Sequence, residues 1–118
     1  MANTRTLLLV EDDLEVRNAI VETLADAGYQ VETAANGFEA LEQLRGRVGS
    51  PCLILLDLMM PVMDGWEFRD AQRRDETLAP IPVVAFTALG ECKIDAAACL
   101  QKPIQLDQLL DVVARYCT

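Results

Sequence analysis

The chain has 118 residues, enough for one domain with a substantial core, and 52% of them are hydrophobic, which excludes an intrinsically disordered chain. Its formal net charge of -9 makes it a poor match for phosphate backbones and anionic membrane surfaces, so neither direct nucleic-acid binding nor membrane binding is expected. There is no histidine, which rules out His-based triads, zinc sites with imidazole ligands and any role as a phosphohistidine carrier.

The opening "MANTRTLLLVEDD" has an apolar patch too short for a secretory signal, and no apolar run approaches the length of a membrane span. A cytoplasmic location is therefore expected. Within that opening, "TLLLVED" (6–12) reads as a buried strand. From Leu14 to Ala27, Val16, Ile20 and Leu24 recur at helical spacing, and Gly28 supplies a stop. "YQVETA" (29–34) alternates like an edge strand or a half-buried one. Asn36 can cap a second helix, with Phe38, Leu41 and Leu44 on its inner face. Gly49-Ser50-Pro51 breaks the chain before "CLILLD" (52–57), the third strand. Met60 to Gly65 is a loop, and a third helix runs from Trp66 to Asp75. "PVVAFT" (82–87) is the fourth strand, and "CLQKP" (99–103) a short fifth. Leu106, Leu109, Leu110 and Val113 mark the inner face of a last helix. The four cysteines show no C-x-x-C spacing and are expected as reduced thiols.

Alternation of strand and helix implies a parallel sheet covered on both faces, most commonly in the order 2-1-3-4-5. Strand ends then share one edge, where such sheets bind ligands. Asp57 ends strand three, Glu11, Asp12 and Asp13 end strand one, Thr87 ends strand four, and Lys102 ends strand five. Each residue alone has a bland reading. Acids after a strand often start a helix, a strand-end Asp is often a turn residue, Thr87 fits a strand, and Lys102 fits a solvated end. Together they form a crevice of clustered carboxylates with a hydroxyl and an ammonium. Oxygen ligands favour Mg²⁺ over zinc and point to phosphoryl chemistry.

These residues also carry a family resemblance that spans essentially the whole chain. The acidic pair Glu11-Asp12, the run D-x-x-M-P-x-M-D-G from Asp57 to Gly65, Thr87, and Lys102-Pro103 resemble the receiver domain of bacterial two-component response regulators. The resemblance implies a flavodoxin-like (βα)5 sandwich. It implies that Asp57 is the nucleophile that accepts a phosphoryl group from a histidine kinase or phosphotransfer protein. Glu11, Asp12, Asp57 and the Met59 backbone carbonyl would hold Mg²⁺. Lys102 would pair with Asp57 or the phosphoryl group, and Thr87 would hydrogen-bond a phosphoryl oxygen. Pro103 would follow a cis peptide, while Pro61 and Gly65 would shape the loop beside the acceptor. Bulky apolar residues at Met59 and Leu89 would give an attacking water no help, so slow self-dephosphorylation is expected.

Two features depart from the family pattern. Cys99 stands where relatives usually carry an aromatic residue, and is expected as a buried strand residue. The stretch from Thr87 to Lys102 is short, so the fourth helix is expected to be shortened around Glu91 to Ala98 or replaced by a loop. Residues 1–118 are read as one receiver domain, a signalling domain and not an enzyme. A downstream protein effector or a covalently linked output domain would read it, and the domain would be a monomer or weak dimer. The alternative is a non-phosphorylated pseudo-receiver acting as a binding module. A phosphohydrolase of the haloacid-dehalogenase kind would need D-x-D-x-T/V after strand one, which Glu11-Asp12-Asp13-Leu14 does not supply. P-loop and dinucleotide glycine fingerprints are absent.

Overall fold

The computed structural model describes residues 5–88 and 92–117. Among these, the elements run β1 (Thr6–Val10), α1 (Leu14–Asp26), β2 (Gln30–Ala34), α2 (Gly37–Gly46), β3 (Leu53–Asp57), α3 (Gly65–Arg74), β4 (Val83–Thr87), β5 (Ala98–Gln101) and α4 (Leu106–Tyr116). All neighbouring strands pair in parallel, in the expected order β2-β1-β3-β4-β5.

Every residue of β1, β3 and β4 is buried, because helices cover both faces of the sheet's centre. The period of two sorts their side chains into two layers. Leu8, Val10, Ile54, Leu56, Val83 and Ala85 pack with Ala40, Leu41, Leu44 and Phe68 of α2 and α3. Leu7, Leu9, Leu53, Leu55, Val84 and Phe86 pack with Ile20, Leu24, Leu109 and Val113 of α1 and α4. β2 lies at the edge, and its alternation leaves Gln30 and Glu32 exposed.

Three helices begin on side-chain caps. Asp13 Oδ1 accepts from the Glu15 and Val16 amides, and Asn36 Oδ1 from the Glu39 amide. Asp64 and Glu67 form a reciprocal capping box at the start of α3. Asp64→Ala is expected to lower stability by about 1 kcal/mol, seen as a lower urea midpoint with an unchanged slope.

Several expectations need correcting. Phe38 is exposed (53%), not on the inner face of α2. The buried residues are Gly37, Ala40, Leu41 and Leu44, an i, i+3, i+4, i+7 set, and Phe38 lies one residue out of phase. Leu106 is likewise exposed at the first turn of α4, where Leu109, Val112 and Val113 make the seam. The cysteines are not free thiols: Cys52 is bonded to Cys117 and Cys92 to Cys99. The first pair is 65 positions apart, so only the fold brings it together. Cys99 is half-buried and bonded, not a fully buried strand residue.

No helix occurs in residues 92–97, between β4 and β5, so a loop replaces the shortened helix over that span. Leu89 and Glu91, which entered the expectations for this region, lie outside the described residues. The loop is held by α3: Trp66 Nε1 donates to the Lys93 carbonyl at 3.0 Å, and Arg69 Nε to the Asp95 carbonyl at 2.7 Å. Among the described residues no helix is long and apolar enough to cross a membrane.

Candidate functional site

The parallel register brings the carboxyl ends of β1, β3, β4 and β5 to one edge. Val10 pairs with Leu56, Asp57 with Phe86, and Thr87 with Gln101. Glu11 and Asp12 follow β1, Asp57 closes β3 and Thr87 closes β4. Lys102 comes directly after β5, and its amide donates to the Thr87 carbonyl at 2.8 Å. The Lys102-Pro103 peptide is cis, as expected.

The three acids after β1 divide into two jobs. Asp13 turns outward to cap α1. Glu11 and Asp12 face the crevice, where one carboxylate oxygen from each of Glu11, Asp12 and Asp57 lies within 4.8 Å of the others. Glu11 is fully buried (0%) and Asp57 nearly so (2%), whereas Asp12 is exposed. Lys102 Nζ reaches Glu11 Oε1 at 3.0 Å and Asp57 Oδ2 at 3.3 Å. Asp57 Oδ1 accepts from the Met59 amide at 3.3 Å, and Glu11 Oε2 from the Asp13 amide at 3.2 Å. Thr87 is fully buried at the crevice edge. Met59 lies exposed on the loop after β3.

The electrostatics follow from burial and crowding. Burial raises the Glu11 carboxyl above the usual carboxylate range, and the neighbouring Asp57 adds to the rise against the pull of Lys102. Asp12 is raised as well, first by desolvation and then by Glu11. Burial acts to lower the Lys102 ammonium, but Glu11 and Asp57 outweigh it and hold its pKa above the ordinary lysine value. The site is thus short of positive charge. Its donors are all oxygens, so they fit a hard divalent cation such as Mg²⁺ and not a soft one.

Two parts of the surroundings escaped sequence reasoning. The Phe86 ring centroid lies 5.5 Å from Lys102 Nζ, close enough for a cation–π contribution. The signal was an aromatic residue one position before the strand-end threonine. Beside Lys102, an apolar groove of about 470 Å³ runs between Val16, Ala19 and Ile20 of α1 and Pro103, Ile104 and Leu106. With Ala88 after β4, it draws on three segments distant in sequence, so no local pattern announces it.

Comparison with known proteins gives this geometry a family. The model of the response regulator receiver domain matches residues 7–114. The chain is 36% identical to the response regulator Rre1 of Synechocystis sp. over 96% of its own length and 52% of that protein. It is 36% identical to a probable transcriptional regulator, ycf29, of Porphyra purpurea, over 91% of this chain and 54% of the relative. The chain thus spans about half the length of these curated relatives. Among solved structures, the chemotaxis response regulator CheY4 of Vibrio cholerae superposes with a TM-score of 0.84 at 33% identity, covering 98% of both chains. A putative response regulator from Chloroflexus aurantiacus superposes with a TM-score of 0.87 at 29% identity, over 96% of this chain and 97% of that one. A sheet in the order 2-1-3-4-5 with an acidic crevice at its carboxyl edge, matched over nearly its full length by receivers, belongs to the receiver-domain family of two-component response regulators.

Proposed function

We propose that Asp57 accepts a phosphoryl group from a phosphohistidine on a histidine kinase or phosphotransfer protein. The observation that carries this reading is the placement of the nearly buried Asp57 carboxylate between two further carboxylates and the Lys102 ammonium. A rigid, fully buried strand holds the nucleophile, so little reorganisation is needed at the moment of attack. A carboxylate oxygen of Asp57 forms the new O–P bond while the P–N bond to the donor imidazole breaks, and the imidazole leaves with its electron pair. The product is an acyl phosphate. Lys102 balances charge at the acceptor and then at the phosphoryl oxygens, and the Thr87 hydroxyl donates to one of those oxygens. Glu11, Asp12, Asp57 and the Met59 carbonyl would hold Mg²⁺, which would neutralise charge on the transferring group.

The apolar groove beside Lys102 offers the phosphodonor a surface next to the acceptor. Residues 1–118 act as one receiver domain in the cytoplasm, as a monomer or weak dimer, without contacting nucleic acid themselves. The two curated relatives, one of them named a probable transcriptional regulator, are about twice as long, which supports a linked output domain or a separate protein effector as the reader. The domain catalyses no reaction beyond its own phosphorylation and dephosphorylation. The loop at residues 92–97 and Cys99 alter the face beside the site, but the acidic cluster, Thr87 and Lys102 stand together at the sheet edge, which favours a phosphoaccepting receiver over a pseudo-receiver.

The test is intact mass after incubation with Mg²⁺ and acetyl phosphate, with an Asp57→Asn control. One phosphate adduct is expected, dependent on Mg²⁺ and absent from the control. An adduct that persists in Asp57→Asn, or none from acetyl phosphate or from a phosphorylated kinase, overturns the assignment.

A further inference from the structure

The connection between β4 and β5 is held in three ways. Trp66 and Arg69 of α3 bond the Lys93 and Asp95 carbonyls, and Arg73 Nη1 lies 3.5 Å from Asp95 Oδ2. Cys92, Ile94, Ala96 and Cys99 pack against the core layer formed with α2 and α3. The Cys92–Cys99 disulfide closes the loop on itself over a separation of seven positions. The hydrogen bonds and the ion pair are exposed and individually weak. The covalent link is what restricts the loop to a shape that meets all of them.

The two disulfides differ in access. In the Cys52–Cys117 pair, Cys117 is 1% exposed and sits in the layer between the sheet, α1 and α4, and only Cys52 is partly exposed. In the second pair, both Cys92 and Cys99 are partly exposed, in a loop and in the edge strand β5. Exchange needs a thiolate to reach a sulfur in line with the bond, so access decides which pair reacts.

We propose that Cys92–Cys99 is a thiol–disulfide exchange site whose reduction by a dithiol frees residues 92–97 from α3. A thiolate of the dithiol bonds to one sulfur of the pair, and the other leaves as a thiolate and takes up a proton. The second dithiol sulfur then displaces the first cysteine. Two electrons pass from the dithiol, which ends as a disulfide, and Cys92 and Cys99 end as thiols. Cys52–Cys117, one of whose sulfurs belongs to a residue buried in the core layer, stays oxidised over the range in which the loop pair is reduced. The surface of α3 around Trp66 and Arg69 is covered in the oxidised form and open in the reduced one. This inference is independent of whether Asp57 is phosphorylated.

Trp66 is the only tryptophan, and its indole N–H is bonded to the loop, so its emission reports loop docking directly. The purified protein, oxidised in air, is titrated with dithiothreitol. At each step the thiols are blocked with iodoacetamide and mapped by mass, and the Trp66 emission maximum is recorded. Cys92 and Cys99 are expected to be alkylated at lower reductant than Cys52 and Cys117, with a red shift of Trp66 over the same range. Cys92→Ser is expected to show the red-shifted maximum without reductant and no further shift. Three results overturn the proposal: alkylation of Cys52 and Cys117 first or together with the loop pair, an unmoved Trp66 maximum once Cys92 and Cys99 are reduced, or four free thiols after air oxidation. The titration of the unaltered protein decides the matter even if Cys92→Ser does not fold.

Discussion

Replacing Lys102 by alanine is expected to lower the unfolding free energy by about 2–3 kcal/mol at neutral pH, with a deficit that shrinks as the pH falls. Lys102 is the partner of two buried carboxylates, at 3.0 Å from Glu11 and 3.3 Å from Asp57. Without it, Glu11 is left fully buried and charged beside Asp57. The cost stays below that of a wholly enclosed pair because the Lys102 side chain is 23% exposed and water can enter in its place. The pH dependence follows from Glu11. Its folded pKa is raised, so its stabilising share is fully present below the ordinary carboxylate value and is lost as the pH rises through the raised one. Removing Lys102, which pulls that pKa down, lifts it further and moves the loss closer to neutrality. The parent ammonium stays charged throughout this window, because its pKa lies above the ordinary lysine value and its stabilising share is lost only as the pH rises through that raised pKa. Urea titrations at neutral and mildly acidic pH measure the difference, and a deficit that is flat with pH would mean that Glu11 does not carry it. Mg²⁺ should raise the melting temperature of Lys102→Ala more than that of the parent, since it restores the missing positive charge.

The parts of this molecule that could be read from its sequence are those written in local pattern. Leu53–Leu56 is an unbroken apolar run because β3 is covered on both faces, and Asp57 is conspicuous because it interrupts that run. The order of runs and periodic stretches implied the sheet order, and the sheet order brought Glu11, Asp12, Asp57, Thr87 and Lys102 to one edge. What escaped depends on three-dimensional closure. Cys52 and Cys117 give no sign of pairing at a separation of 65 positions. Phe38 was assigned inward because its spacing to Leu41 and Leu44 is also helical, but the true face starts at Gly37. Lys102 was matched to Asp57 or a phosphoryl group, yet its shorter contact is to Glu11, a distinction of tenths of an ångström that strand-end bookkeeping does not resolve. Residues 92–97 keep apolar side chains at Cys92, Ile94 and Ala96, an every-other-residue pattern that packs a loop onto α3 where an extra helix was one of two options.

Gly65→Ala is expected to be the most damaging alanine substitution among the described glycines, costing about 3 kcal/mol. A Cβ at this position would lie 2.7 Å from the Leu58 Cα and 2.8 Å from the Asp57 carbonyl oxygen, and both are backbone atoms that cannot swing aside. The Gly65 amide donates to the Leu58 carbonyl at 3.0 Å, so the start of α3 lies directly against the chain that leaves Asp57. Relieving the clash means moving either α3 or the segment 57–59. The first loosens Phe68 from the core, and the second shifts Asp57 away from Lys102 and the other carboxylates. Two other glycines calibrate the effect. At Gly37 the nearest atom to an added Cβ is Met63 Cγ at 2.8 Å, part of a flexible side chain, with the Met63 carbonyl at 3.0 Å, so Gly37→Ala should cost about 1 kcal/mol. At Gly46, the last residue of α2, nothing lies within 4 Å, and alanine should be neutral or stabilise by up to about 1 kcal/mol. Urea unfolding of the three variants gives the order directly. Phosphate labelling then separates the causes: a Gly65→Ala protein that is folded in water but labels slowly has lost the position of Asp57, whereas normal labelling with low stability places the whole displacement in α3.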